Sequence, residues 1–303
     1  VTFGVAPFRD LYPFESRFLD RGGARMHYVD EGEGEPVVLL HGNPTWSFLY
    51  RELIADLRES HRAIAPDWIG CGLSDKPPAR AYDYRLKSRV EDLDALLSSL
   101  GVGRGVTLAM HDWGGAIGMA WAARNAERVA RLILFNTAAF TMPPGKRMPW
   151  QLRLARTPPI GAIAVRGFNA FVRGTLEVAL TDGADERVRR AYLAPHDSWA
   201  NRIATLRFVQ DIPLSPSDLS YPLLIEAEKG IELFRDRPAL ICWGGRDFVF
   251  DRVFFDRWRG LLPDAETHWF ENAGHLVLED ASEQIRSIVR RFLTAHPLEG
   301  APG

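Results

Sequence analysis

Short apolar runs recur along the chain at residues 36–40, 61–66, 105–109, 129–136 and 238–243, each bounded by glycine or polar residues. Runs of this length with no polar alternation describe strands buried on both faces, because neither face is left to water. Between them the period lengthens. Residues 88–100 place Val90, Leu93, Leu96, Leu97 and Leu100 on one helical face. Residues 45–58, 116–125, 253–262 and 282–293 also predict helices, and 266–270 predicts one further strand. Residues 16–20 and 25–29 flank Gly22-Gly23 and predict a β-hairpin. Alternating buried strands and helices predict a parallel sheet covered on both sides.

The rhythm changes after Phe140. Residues 141–221 read as helical, broken by Pro143, Pro144, Pro149, Pro158 and Pro159. Aromatics are frequent there: Trp150, Phe168, Phe171, Tyr192, Trp199 and Phe208. An insertion of this kind after a sheet strand predicts a helical cap over the active face. The expected organisation is a core in two parts (1–140 and 222–296), a cap (141–221), and a frayed Pro/Gly-rich tail (297–303).

Composition narrows the class. A chain of 303 residues can bury one large core, and 46% hydrophobic with 25% charged residues is ordinary for a soluble globular protein. A net charge of −2 gives no electrostatic case for nucleic acid. Cys71 and Cys242 are too few for a disulfide framework, which points to a reducing cytoplasm. Residues 1–20 carry charges and no apolar core of a signal peptide. No uncharged apolar stretch approaches the ~20 residues of a membrane span. The eight histidines show no ligand spacing such as His-Glu-x-x-His, so neither a metal nor another cofactor is expected.

The chemistry centres on Met110-His111-Asp112-Trp113-Gly114-Gly115. A charged or nucleophilic residue between a strand and a helix, with glycine behind it, has the form of a nucleophile elbow. A carboxylate there attacks to form a covalent ester; the plainer alternative is an Asp that caps the helix. Met110 departs from the pattern, which prefers a small residue at that place. Asp247, in Gly244-Gly245-Arg246-Asp247, and His275, in Asn272-Ala273-Gly274-His275, follow in the order nucleophile, acid, histidine. His275 would then be a general base and Asp247 its orienting acid; a capping Asp247 and a surface His275 are the plainer readings. Asp251, Glu271 and Glu279 are carboxylates in helical or exposed settings and rank below Asp247.

His41-Gly42-Asn43-Pro44, His111-Asp112-Trp113-Gly114-Gly115 and Ala273-Gly274-His275 resemble the haloalkane dehalogenase branch of the α/β-hydrolase superfamily. The resemblance covers nearly the whole chain, including residues 67–77. It implies a mostly parallel eight-stranded sheet flanked by helices with an inserted helical cap. It also implies that Asn43 and Trp113 donate N–H groups to a departing anion, which suits two neutral donors facing a nucleophile. Some dehalogenases carry their acid as a glutamate after the strand that ends here in Leu134-Phe135-Asn136. Asn136 at that place leaves Asp247 as the acid, the pattern of the third dehalogenase subgroup. Within the cap, Asn136-Thr137-Ala138-Ala139-Phe140, Met148-Pro149-Trp150-Gln151, Asn169-Ala170-Phe171, and the stretches 201–203 and 211–216 resemble the β-lactone decarboxylases of bacterial olefin biosynthesis.

The resemblance therefore implies conversion of a cis-3,4-dialkyl-oxetan-2-one to a cis-alkene and CO2, with other olefin-biosynthesis enzymes as partners. Hydrolysis of haloalkanes through an aspartyl ester is the alternative. A ligand receptor or scaffold on the same fold is a third reading, against which the intact Asp112, Asp247, His275, Asn43 and Trp113 argue. A small apolar substrate with two alkyl arms needs an extended cleft, for which Phe140, Trp150, Phe171 and the apolar run 161–165 are candidates.

Overall fold

The computed structural model describes residues 4–179 and 185–298; most of the tail expected to fray lies outside them. Eight strands form one sheet: β1 (Arg17–Asp20), β2 (Arg25–Glu31), β3 (Pro36–Leu40), β4 (Arg62–Pro66), β5 (Val106–Asp112), β6 (Val129–Thr137), β7 (Ala239–Gly244) and β8 (Glu266–Phe270). Their order is β1-β2-β4-β3-β5-β6-β7-β8. The β1–β2 hairpin and the β2–β4 pair are antiparallel, and every later pair is parallel.

Strand periodicity explains the two buried faces. Val38, Leu40, Leu108, Met110, Leu132 and Leu134 point into one apolar cluster, and Val37, Leu39, Ala109, Ile133 and Phe135 into another across the sheet. Alternate residues of the same strands thus feed different layers. Helices α1 (Arg51–Leu57), α2 (Leu86–Ser99) and α3 (Trp113–Arg124) follow β3, β4 and β5 in the chain. The helix expected over 45–58 begins later. Trp46 is extended, Ser47–Tyr50 is a 3-10 turn, and α1 starts at Arg51. Hydrogen bonds redirect the chain there: Thr45 donates to Gly42 O (3.2 Å) and Ser47 N–H donates to the buried Asp67 carboxylate (2.7 Å).

After β6 come α4 (Trp150–Arg156), α5 (Ile160–Ala162), a π-helical turn (Ile163–Gly167), α6 (Ala170–Ala179), α7 (Glu186–Leu193) and α8 (Ile203–Gln210). Ala155, Val165, Leu206 and Val209 give this layer a small apolar cluster of its own. The chain then returns through α9 (Tyr221–Gly230), which packs on α3, α10 (Arg252–Leu261), α11 (Val277–Asp280) and α12 (Ser282–Ala295). Both cysteines are buried and unpaired. No helix among the described residues is long and apolar enough to cross a membrane.

Buried polar groups tie the helical layer to the sheet layer. Arg51 donates to both Glu279 oxygens (2.5 and 2.8 Å), and Tyr192 OH from α7 donates to the same carboxylate. Removing one partner of a buried ion pair leaves the other charge uncompensated, at about 3–5 kcal/mol. Glu279 is partly exposed and Arg51 keeps Glu52 at 3.6 Å, so Glu279→Ala is expected to lower unfolding stability by less than that amount, about 1–3 kcal/mol. Urea denaturation of the variant checks this, and an unchanged midpoint would remove the triad from the account of stability.

Candidate active site

The carboxyl ends of the parallel strands gather along one edge, where such sheets place their chemistry. Asn43 follows β3, Asp112 ends β5, Asn136 lies at the end of β6, Asp247 follows β7 and His275 follows β8. The turn from β5 to α3 is strained. Asp112 has φ 51° and ψ −122°, a left-handed conformation unusual for a side chain with a Cβ. Close packing holds it there. A Cβ at Gly114 would overlap the Leu40 carbonyl, and one at Gly115 would overlap the Thr137 hydroxyl. Met110 is accommodated because Gly118, one turn into α3, leaves room where any Cβ would crowd its sulfur.

Asp112 does not cap α3 through its side chain. Its Oδ1 accepts the Asn43 backbone N–H at 2.6 Å, and the Trp113 N–H also pulls on the carboxylate. Burial pushes the Asp112 carboxyl above its usual range, opposed by His275 and by those two N–H groups. Oδ2 lies 3.8 Å from His275 Nε2, too far for a direct hydrogen bond.

His275 is buried, not on the surface. Burial disfavours its charge, but Asp247, and more weakly Asp112, raise its pKa above the usual 6.5. Its Nδ1 meets Asp247 Oδ2 at 2.7 Å. The same Asp247 does cap its own turn, as the plainer reading expected, by accepting Val249 N–H (2.7 Å) and Phe250 N–H (3.1 Å) on Oδ1. Burial alone would raise Asp247, yet His275 and these donors bring it below the usual 3.8. The result is an anionic Asp247 behind an imidazole biased toward imidazolium.

Two neighbours complete the support. Asn136 Nδ2 donates to Asp247 Oδ2 (3.0 Å), and its Oδ1 accepts Gly244 N–H (2.8 Å). The side chain where a glutamate was sought thus buttresses the aspartate on the next strand. His111, which burial depresses to about 3, is neutral and donates from Nε2 to the His275 carbonyl (2.8 Å).

Both expected anion donors face the cavity. Asn43 Nδ2 donates to Thr205 O on α8 at 3.2 Å, which fixes the amide plane. Trp113 packs against Phe208, one turn further along α8, with ring centroids 5.3 Å apart. The cavity has a volume of about 430 Å³ and an apolar lining, and Asp112, Asn43, Trp113 and His275 open into it. Phe140, Trp150 and Phe171 all line it. Of the run 161–165 only Ala164 and Val165 reach the wall; Ile163 faces solvent. Phe168 and Trp199 are also exposed, while Met142, Leu154 and Phe248 supply wall the sequence did not single out, and Ile212, from the singled-out stretch 211–216, lines it too.

The other carboxylates are engaged elsewhere. Asp251 caps α10 and pairs with Lys146, Glu271 accepts from Trp269, and Glu279 binds Arg51. Among the described residues no group of three or more His, Cys, Asp or Glu side chains is arranged to hold a metal ion.

The α/β-hydrolase fold family matches residues 35–282. The chain belongs to that family. This α/β-hydrolase is 50% identical over 285 residues to a cis-3-alkyl-4-alkyloxetan-2-one decarboxylase of Shewanella oneidensis, covering 94% of this chain and 90% of that protein. It is 35% identical over 295 residues to haloalkane dehalogenase 2 of Mycobacterium bovis, covering 96% and 100%. Its fold superposes on the crystal structure of haloalkane dehalogenase DatA from Agrobacterium tumefaciens with a TM-score of 0.83 at 25% identity, over 93% and 97% of the two chains.

The Asn136 amide carries a direct prediction for this α/β-hydrolase-fold enzyme. A hydrogen bond to a charged acceptor is worth about 1.5–3 kcal/mol, or about 10–100-fold in rate. Asn136→Ala is expected to lower kcat by that factor with KM little changed, because Asp247 loses a donor while the cavity keeps its lining. Steady-state kinetics check it; an unaltered kcat would mean the backbone donors alone hold Asp247.

Proposed function

We propose that this hydrolase-fold enzyme is a β-lactone decarboxylase acting on cis-3-alkyl-4-alkyloxetan-2-ones in a reducing cytoplasm, with residues 141–221 as the cap over its substrate. The observation that carries the reading is a buried Asp112 carboxylate at the floor of an apolar cavity, in a chain 50% identical to a decarboxylase of that name.

Asp112 attacks the ring carbon that bears oxygen. A bond forms from its carboxylate to that carbon, the ring C–O bond breaks, and the configuration inverts. The departing group is a carboxylate, which Asn43 and Trp113 would hold as they would hold a halide. The bond between the neighbouring carbon and CO2 then breaks, its electrons form the double bond, and Asp112 leaves as carboxylate. Inversion followed by anti elimination gives the cis-alkene from the cis-lactone, and no water is consumed. The paired Asp247 and His275 supply a positive charge beside Asp112 throughout.

One observation favours a second reading. The 3.8 Å between His275 Nε2 and Asp112 Oδ2 leaves a base poised beside the ester rather than bonded to the nucleophile. That suits haloalkane hydrolysis, in which neutral His275 activates water against the aspartyl ester.

Three outcomes are expected. In Asp112→Ala, turnover disappears while the fold persists, and Asn43→Ala or Trp113→Phe slows turnover by ~10²–10³. After many turnovers of a β-lactone in labelled water, alkene accumulates with little label in the peptide containing Asp112. Heavy labelling would rule out simple elimination, and halide release from haloalkanes with no alkene from lactones would favour the dehalogenase. The pH profile separates the same two chemistries. Alkene formation needs ionised Asp112 beside protonated His275, so its acid limb follows the Asp112 carboxyl, above 3.8, and its rate falls as pH rises through the raised pKa of His275, above 6.5. Haloalkane hydrolysis needs neutral His275, so its rate already falls as pH drops through that group's raised pKa, above 6.5.

A further inference from the structure

Behind the anion donors lies a charge that the mechanism above does not use. Arg89, on α2, is fully buried. One guanidinium nitrogen, Nη1, donates to Tyr84 O, while Nε and Nη2 have no hydrogen-bond partner among the described residues. No carboxylate forms an ion pair with it there; Asp92, three residues on, is bound to Arg21 (2.8 Å) and Tyr82 (2.6 Å). An unpaired buried guanidinium is costly, and pairing or neutralisation is the usual outcome.

What faces Arg89 instead is aromatic. Its Cζ lies 3.6 Å from the Phe208 ring centroid and 5.9 Å from that of Trp113. Phe208 itself packs against Trp113. A cation over an aromatic face draws on the ring's electrons. For an indole this makes the N–H a stronger donor, and Trp113 opens into the cavity beside Asp112. The charge also adds positive potential behind the place where an anion would be held, in surroundings that exclude water and so screen it little.

We propose that Arg89 is a positioning residue for anion binding, acting through the Trp113 ring rather than touching substrate. This rests on the reading of Asn43 and Trp113 as anion donors. The chemical class favoured is a small monoanion, either a carboxylate or a halide.

The test reads anion affinity directly, independent of which substrate is turned over. Bromide and acetate are titrated against tryptophan fluorescence in the wild-type protein, in Arg89→Met and in Arg89→Lys, with Trp113→Phe identifying the signal from the site. Thermal melts establish which variants are folded. The expected result is an anion affinity about tenfold weaker in Arg89→Met and largely restored in Arg89→Lys, with kcat falling in parallel and KM for an uncharged substrate little moved. A folded Arg89→Met protein that binds both anions as tightly as wild type overturns the role of Arg89. Should Arg89→Met not fold, a folded Arg89→Lys protein with tenfold-weaker binding overturns the charge-based account. Wild-type protein without anion affinity overturns the donor reading itself and the role of Arg89 with it.

Discussion

The strained turn at Asp112 is the constraint on which the rest of the site depends. A left-handed aspartate between a buried strand and a buried helix is uphill by a few kcal/mol. It persists because α3 sits so close to β3 and β6 that Gly114 and Gly115 admit no side chain. The strain lifts the carboxylate off the sheet and presents it to two backbone N–H groups. Everything chemically relevant then reaches this point from neighbouring strand ends: a donor from beyond β3, a buttress from β6, an acid from beyond β7, a histidine from beyond β8.

The electrostatics follow from the same geometry. One carboxylate of the three-residue set is held down in pKa and the other is held up, although both are buried. The difference lies in donors. Asp247 has His275, Asn136 and two backbone N–H groups, whereas Asp112 has two backbone N–H groups and a histidine 3.8 Å away. The carboxylate with more donors, Asp247, is held as an anion against the imidazole, and the one with fewer, Asp112, is held up in pKa.

Much of this was legible in the chain because it is written locally. Strand ends, the glycine-backed turn and the order Asp112, Asp247, His275 are contiguous or short-range patterns, and the strands fall within a residue or two of their expected limits except β5, which runs three residues further, to Asp112. What escaped notice depends on contacts across long stretches of chain. Asn136 was read as a position lacking a carboxylate, yet its amide spans to a residue 111 positions away. Met110 looked out of place until Gly118 was seen to make room for it. Nothing in the periodicity of the 88–100 helix singles out Arg89, since it does not say that α8 brings a phenyl ring against it. The 3-10 turn at Ser47 likewise answers to the buried Asp67, not to local helix preference.

Helix α8 touches the chemistry twice without contributing a reacting group. Thr205 O orients the Asn43 amide, and Phe208, one turn away, braces the Trp113 indole. Asn43 and Trp113, the proposed anion donors, therefore take their aim from one helix. Lifting that helix by a single hydrogen-bond length would free the amide and unseat the indole in the same movement. The orientation of these two side chains is thus coupled through a single element, and neither can be re-aimed without disturbing the other.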